Sequence, residues 1–182
     1  MQIFAASIIS SMLISSAFVF PVAREVSIRN WYPAPGDRIV VDTKENEAYL
    51  IHKDGRYINF DVITGQRRYV YYIGRGYNAA TPEREWTVKS QDFKGDRYTF
   101  GPSGSFLRLH WDGEKTPYGF HGHKAEEIMF ERENRYQSMG CIIVTDIMLH
   151  VLEKTLELNE ENGVQVITRY GVDDAVGLAY AS

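Results

Sequence analysis

From Arg38 onward, short spans rich in apolar, β-branched and aromatic residues are separated by turns rich in Gly, Asp and Asn. "RIVVD" (38–42), "EAYLIH" (47–52) and "RYINFDV" (56–62), broken by "TKEN" and "KDG", predict three strands of an antiparallel meander. Thr64 and Gly65 then turn the chain into "RRYVYYIG" (67–74), whose β-branched and aromatic residues favour extended backbone. "EREWTVKS" (83–90), "FLRLHW" (106–111) and "YGFHG" (118–122) read as further strands, and "VQVIT" (164–168) as a last one. The chain shows no internal repeat and no low-complexity segment.

The period changes after residue 144. Met148, Val151, Leu152, Thr155 and Leu156 recur at helical spacing, with Thr145 as an N-cap and Asp146 set against the positive end of the helix dipole. The helix runs out near "NEENG", where Gly163 suits the exit. "KAEEIMFEREN" (124–134) predicts a second, shorter helix. Residues 24–37, with two prolines and a glycine, read as a linker, and "VDDAVGLAYAS" (172–182) reads as a weakly ordered C-terminal tail. The expectation is a mostly β domain at 38–171, a β-sandwich with one or two helices.

A chain of 182 residues that is 44% apolar and 13% aromatic can bury one sizeable core, so composition predicts a single domain. The net charge of −4 is spread without a run of five like charges, which excludes an obvious nucleic-acid surface. Residues 1–23 carry no charged side chain. They read as a secretory signal, with cleavage points after Ala17 or Ala23, or as an uncleaved membrane anchor that tethers the domain. Either expectation puts the domain outside the cytoplasm. There, a single cysteine, Cys141, cannot form an internal disulfide, so its thiol is buried, paired with another chain, or used.

Use as a nucleophile requires a base or a positive environment, because the thiolate is the attacking form. Of five histidines, His52 lies in an early strand, His110 in an apolar-alternating strand and His150 on the helix, all positions suited to structural or solvent-facing roles. His121 and His123 instead follow a strand at a glycine-containing turn, where side chains project into a cleft. In "SMGC" (138–141), Gly140 permits a tight turn, and the successive amides of Met139, Gly140 and Cys141 form a candidate oxyanion hole. A nucleophilic thiol predicts fast labelling with a depressed pH midpoint; a buried packing thiol predicts slow labelling.

The pieces "FHGH" (120–123) and "SMGCII" (138–143) resemble the signature of the L,D-transpeptidase catalytic domain family (YkuD-like): His-Gly at a strand end, then Ser/Thr-His-Gly-Cys, a hydrophobic residue, and Arg or Asn. The order of "IVVDTKENEAYLIHKDG", "ITG", "ATPEREWTV" and "NGVQVIT" also resembles that family, over residues 38–169. The resemblance implies an L,D-transpeptidase-like β-sandwich that needs no metal or cofactor and acts on peptidoglycan stem peptides. It implies Cys141 as nucleophile and His121 as base, with His123 the alternative, and the carbonyl of Gly122 or a neighbour orienting the imidazole. Ser138, Met139 and Gly140 would shape the acyl pocket, and Tyr118 would line the groove or serve as packing. The implied reaction forms a thioester on Cys141 and passes the acyl group to an amine, making a crosslink. Transfer to water, as in an L,D-carboxypeptidase or amide hydrolase, and a silent peptidoglycan-binding domain are the alternatives. Two positions depart from the family: Met139 stands where it has His, and Ile143 where it has Arg or Asn.

Overall fold

The computed structural model describes residues 22–72 and 74–180. Nearly all of the expected export segment, residues 1–21 of 1–23, lies outside the described residues. Among the described residues no helix is long and apolar enough to cross a membrane.

The strands are β1 (Arg24–Glu25), β2 (Arg38–Asp42), β3 (Glu47–Ile51), β4 (Arg56–Asp61), β5 (Thr64–Gly65), β6 (Tyr69–Tyr72), β7 (Arg75–Asn78), β8 (Arg84–Phe93), β9 (Ser105–Trp111) and β10 (Glu114–His121). They continue with β11 (Tyr136–Ser138), β12 (Ile142–Ile143) and β13 (Val164–Arg169). The helices are α1 (Glu126–Phe130), α2 (Asp146–Glu157) and α3 (Ala175–Tyr180). Nine strands form one sheet in the order β1-β4-β3-β2-β13-β8-β9-β10-β12; β11-β5 and β6-β7 form two small sheets. The fold is therefore mostly β, and the meander β2-β3-β4 is antiparallel as the turns predict.

Strand β13 lies parallel to β2 and antiparallel to β8, so it sits in the middle of the sheet. Both faces are covered there, which is why "RIVVD" is a continuous apolar run rather than an alternation. Ile39 and Val41 pack on one face with Trp86, Leu109, Phe120, Leu152 and Val166. Val40 packs on the other with Ile51, Ile167, Val176 and Ala179. Helix α2 covers the first face through Met148, Leu149, Leu152, Thr155 and Leu156, and the Thr145 hydroxyl caps it by accepting the Met148 amide at 3.3 Å.

The sheet curls until its two ends meet. Ile63, just after β4, exchanges two backbone hydrogen bonds of 2.9 Å with Ile143 of β12. Beside that bridge β5 pairs with β11, and these contacts draw the start of the domain against the Cys141 segment.

The two expected appendages are part of this architecture. Residues 24–37 are not a free linker: β1 pairs with β4, and the buried Trp31 ring stacks on His52 at 3.8 Å and 12°. His52 Nδ1 lies 2.5 Å from Asp37 Oδ1, whose carboxyl burial raises above its ordinary range. The expected weakly ordered tail is likewise folded, because 175–180 form α3 with Val176 and Ala179 buried three residues apart. A helix of six residues is too short for its period to stand out in a sequence.

If Trp31 anchors the N-terminal segment to the core, Trp31→Ala lowers unfolding free energy by about 3 kcal/mol, the usual cost of truncating a buried aromatic. Urea denaturation checks this, and an unchanged midpoint would return 24–37 to the status of a linker.

Candidate active site

Cys141 and His121 are brought together by a short parallel ladder. Strand β12 lies beside the end of β10 with Phe120 opposite Ile142 and His121 opposite Ile143. Phe120 and Ile142 point into the core, whereas His121, Cys141 and Ile143 line one groove of about 950 Å³. His123, Tyr118, Ser138 and Met139 open onto the same groove. Gly122 and Gly140 lie behind it and act through their backbones. The remaining histidines are elsewhere: His52 is paired with Asp37, His110 lies 3.1 Å from Ser90 Oγ, and the exposed His150 faces Glu153 at 3.6 Å.

The turn that carries the thiol is fixed from several sides. Ser138 Oγ accepts the Gly140 amide at 3.0 Å and donates to the Cys141 carbonyl at 2.5 Å. Thr81 Oγ1 donates to the Gly140 carbonyl at 3.0 Å and accepts the Gly65 amide at 3.0 Å. The Tyr77 hydroxyl donates to the Met139 carbonyl at 3.2 Å, and Gln66 Nε2 donates to the Met139 sulfur at 3.4 Å. Gly140 has φ 115°, and a Cβ there would lie 2.6 Å from Tyr118 Cε1, so this position needs glycine for both conformation and space. Of the three amides expected to form an oxyanion hole, that of Gly140 is committed to Ser138.

Burial pushes the Cys141 thiol up to about 11, against the downward pull of a Gly119 backbone hydrogen bond and the charges of Arg108 and Lys94. This reverses the expected depressed midpoint, because desolvation outweighs the positive surroundings. The thiol donates to the Pro117 carbonyl at 3.7 Å. Burial also lowers His121, to about 4, despite the raising effect of the Gly122 and Thr99 backbones. The ring packs between Phe100 at 5.0 Å and Phe106 at 5.9 Å. The resting site therefore holds a neutral thiol and a neutral imidazole.

The tautomers of the two groove histidines differ, and hydrogen bonding decides them. His121 Nδ1 lies 2.7 Å from the Gly122 carbonyl, which can only accept, so Nδ1 carries the hydrogen and Nε2 keeps its lone pair. His123 Nδ1 accepts the Ala125 amide at 3.0 Å, so in the neutral ring its hydrogen is on Nε2. His123 also makes an edge contact with Tyr98 at 5.2 Å, and burial lowers its pKa while Asp96 raises it. His121 is thus able to take a proton, and neutral His123 is able to give one.

Thr81, Tyr77, Gln66 and Thr99 were not legible as site residues, since they come from elements up to 75 positions before the cysteine that only folding brings close. Among the described residues no three His, Cys, Asp or Glu side chains cluster closely enough to hold a metal ion.

The family model for the L,D-transpeptidase catalytic domain matches residues 36–157. The fold is similar to an L,D-transpeptidase from Xylanimonas cellulosilytica, with TM-score 0.52, 20% identity, 76% of this chain and 63% of that one covered. It is also similar to a variant of the helical cell shape determining protein Pgp2 from Campylobacter jejuni, with TM-score 0.52, 16% identity, 83% of this chain and 53% of that one covered. This chain thus spans roughly half to two thirds of those proteins. No curated protein matches it.

Two titrations check the neutral pair. The His121 ring, followed by NMR, is expected to titrate near pH 4 instead of 6.5. Because its folded pKa lies below its unfolded value, the unfolded chain binds more protons between those pH values, and the fold loses stability as pH falls through that window. Alkylation of Cys141 by a neutral reagent is expected to keep accelerating toward pH 11. A plateau below about pH 8, under the ordinary thiol range, would mean that the pair is already ionised at rest.

Proposed function

The chain belongs to the L,D-transpeptidase catalytic domain family, and from that membership we propose that it is a peptidoglycan L,D-transpeptidase working through a thioester on Cys141. The observation that carries this reading is the Gly122 carbonyl bond to His121 Nδ1, which puts the ring hydrogen on Nδ1 of an imidazole that lines the same groove as the thiol. Substrates of this class lie outside the cytoplasm, and residues 1–23 supply export, as a cleaved signal or as a tether.

The donor is a stem peptide whose third-residue carbonyl enters the groove beside Cys141. As Sγ attacks, its proton passes to His121 Nε2, and a carbon–sulfur bond forms while negative charge collects on the carbonyl oxygen. Ionising either group alone is costly in this buried site. Transferring the proton between them creates two opposite charges in a low dielectric, and their attraction offsets much of that cost. The amides of Met139 and Cys141 face the oxyanion, with the turn held by Ser138, Thr81 and Tyr77. Collapse breaks the carbon–nitrogen bond, and the His121 proton leaves on the departing amine of the terminal residue. An acceptor amine then attacks the thioester, gives its proton to His121, and restores the thiol as the crosslink forms. Water in place of the amine gives the trimmed peptide.

His123 supports the site as a hydrogen-bond donor. A silent binding domain has no use for a thiol and a correctly tautomerised imidazole on one groove, and this favours the enzyme.

Incubating the protein with tetrapeptide muropeptides is expected to give dimers or loss of the terminal residue by mass spectrometry, with an acyl adduct on Cys141 and none of these in Cys141→Ala. Absence of both product and adduct from the unsubstituted protein would sink the reading. His121→Ala is expected to slow turnover by about 10² to 10⁴, the range for a lost general base, and His123→Ala by less than about tenfold. The reverse order would make His123 the base.

A further inference from the structure

The groove has an unusual charge inventory. Its walls are aromatic and apolar, with Tyr72, Tyr77, Phe100, Tyr118, Met129 and Ile143 among them. Among the described residues no Asp, Glu or Lys lines it, and Arg75 is the one lining side chain with a permanent positive charge. Other arginines nearby are occupied: Arg108 holds Asp92 and the Thr116 carbonyl, Arg84 lies 3.9 Å over the Trp111 ring, and Arg135 pairs with Asp61. Arg75 makes no side-chain hydrogen bond or ion pair among the described residues.

Its position is set by the site itself. Arg75 and Tyr77 are two residues apart on β7, so they project to the same side of the strand. Tyr77 is fastened to the Met139 carbonyl, two residues before the thiol. The hairpin β6-β7 is thereby anchored to the reactive turn, and the Arg75 charge is felt at both Tyr77 and Tyr118. Meanwhile position 143, where the family resemblance calls for a cation or an amide, holds an isoleucine only 3% exposed. Arg75 is exposed where it lines this groove, with no acidic side chain beside it in the lining, and a bidentate carboxylate is the ligand its planar fork fits.

We propose that Arg75 is the specificity-determining residue of this groove, binding a carboxylate of the donor peptide and supplying from the β6-β7 hairpin the cation that position 143 lacks. This rests on the peptide-donor reading for the identity of the ligand. Two carboxylates qualify: the terminal α-carboxylate, and a side-chain carboxylate on the third-residue diamino acid.

The first test does not need turnover. Cys141 is alkylated with iodoacetate, a carboxylate, and with iodoacetamide, its neutral counterpart, in the unsubstituted protein, Arg75→Gln and Arg75→Lys. The iodoacetate-to-iodoacetamide rate ratio is expected to fall about threefold or more in Arg75→Gln and to be largely kept in Arg75→Lys, as a local positive field requires. A ratio unchanged by Arg75→Gln overturns the proposal. The second test measures kcat/KM for a tetrapeptide donor and for versions amidated at either carboxylate. Arg75→Gln is expected to cost about tenfold, the order of one charge-assisted hydrogen bond. The amide that costs the unsubstituted enzyme the same factor, with no further loss in Arg75→Gln, identifies the bound carboxylate. If both amides remain additive with Arg75→Gln, the proposal is wrong. If the ratio falls but no donor peptide is turned over, the carboxylate site stands and the peptidoglycan reading falls.

Discussion

Two residues of β12, Ile142 and Ile143, lie between the end of β10 and the segment after β4, and the site depends on that placement. On one side the parallel register sets His121 opposite Ile143; on the other, Ile63 and Ile143 exchange both of their backbone hydrogen bonds. The first contact puts the imidazole and the thiol on one groove. The second closes the curled sheet, so that Gln66, Tyr77 and Thr81, all from the early part of the domain, reach the turn at 138–141. An isoleucine suits position 143 because its backbone forms the bridge while its side chain is almost fully covered.

Closure of the sheet also determines the electrostatics. A cysteine in a loop at the surface would keep an ordinary thiol, and positive neighbours would lower it. Here the walls that orient the turn bury His121 and partly cover the thiol, and each neutral form is favoured. The Gly122 carbonyl then matters more than any charge, because it chooses which imidazole nitrogen carries the hydrogen. The site is organised by direction of hydrogen bonding, with both the thiol and the imidazole favoured in their neutral forms.

The turn tolerates Met139 for a related reason. Its carbonyl is held by Tyr77 and its sulfur by Gln66, so the position contributes backbone geometry and a soft filler against the groove wall. Gly140 tolerates nothing else, being in the left-handed half of backbone space against the Tyr118 ring.

Much of this was legible in the amino-acid sequence. Short apolar runs and the turn residues between them placed the meander at 38–62, helical spacing with the Thr145 cap placed α2, and "FHGH" with "SMGC" singled out residues that share the groove. Such features rest on interactions between near neighbours in the chain, which is why they can be read locally. The burial of 24–37, the folding of 175–180 into α3, the different tautomers of His121 and His123, and the upward shift of the thiol could not be read so. Each depends on what distant segments place around a group: the ring over Trp31, the sheet face under Val176, the carbonyl beside an imidazole, the protein that displaces water from a sulfur. The sequence by itself determined most of the longer strands, helix α2 and the candidate site residue types; tertiary structure alone decided the short strands β11 and β12 that assemble the site, and the protonation and partners of its residues, because solvent exclusion belongs to the assembled fold and not to any stretch of chain.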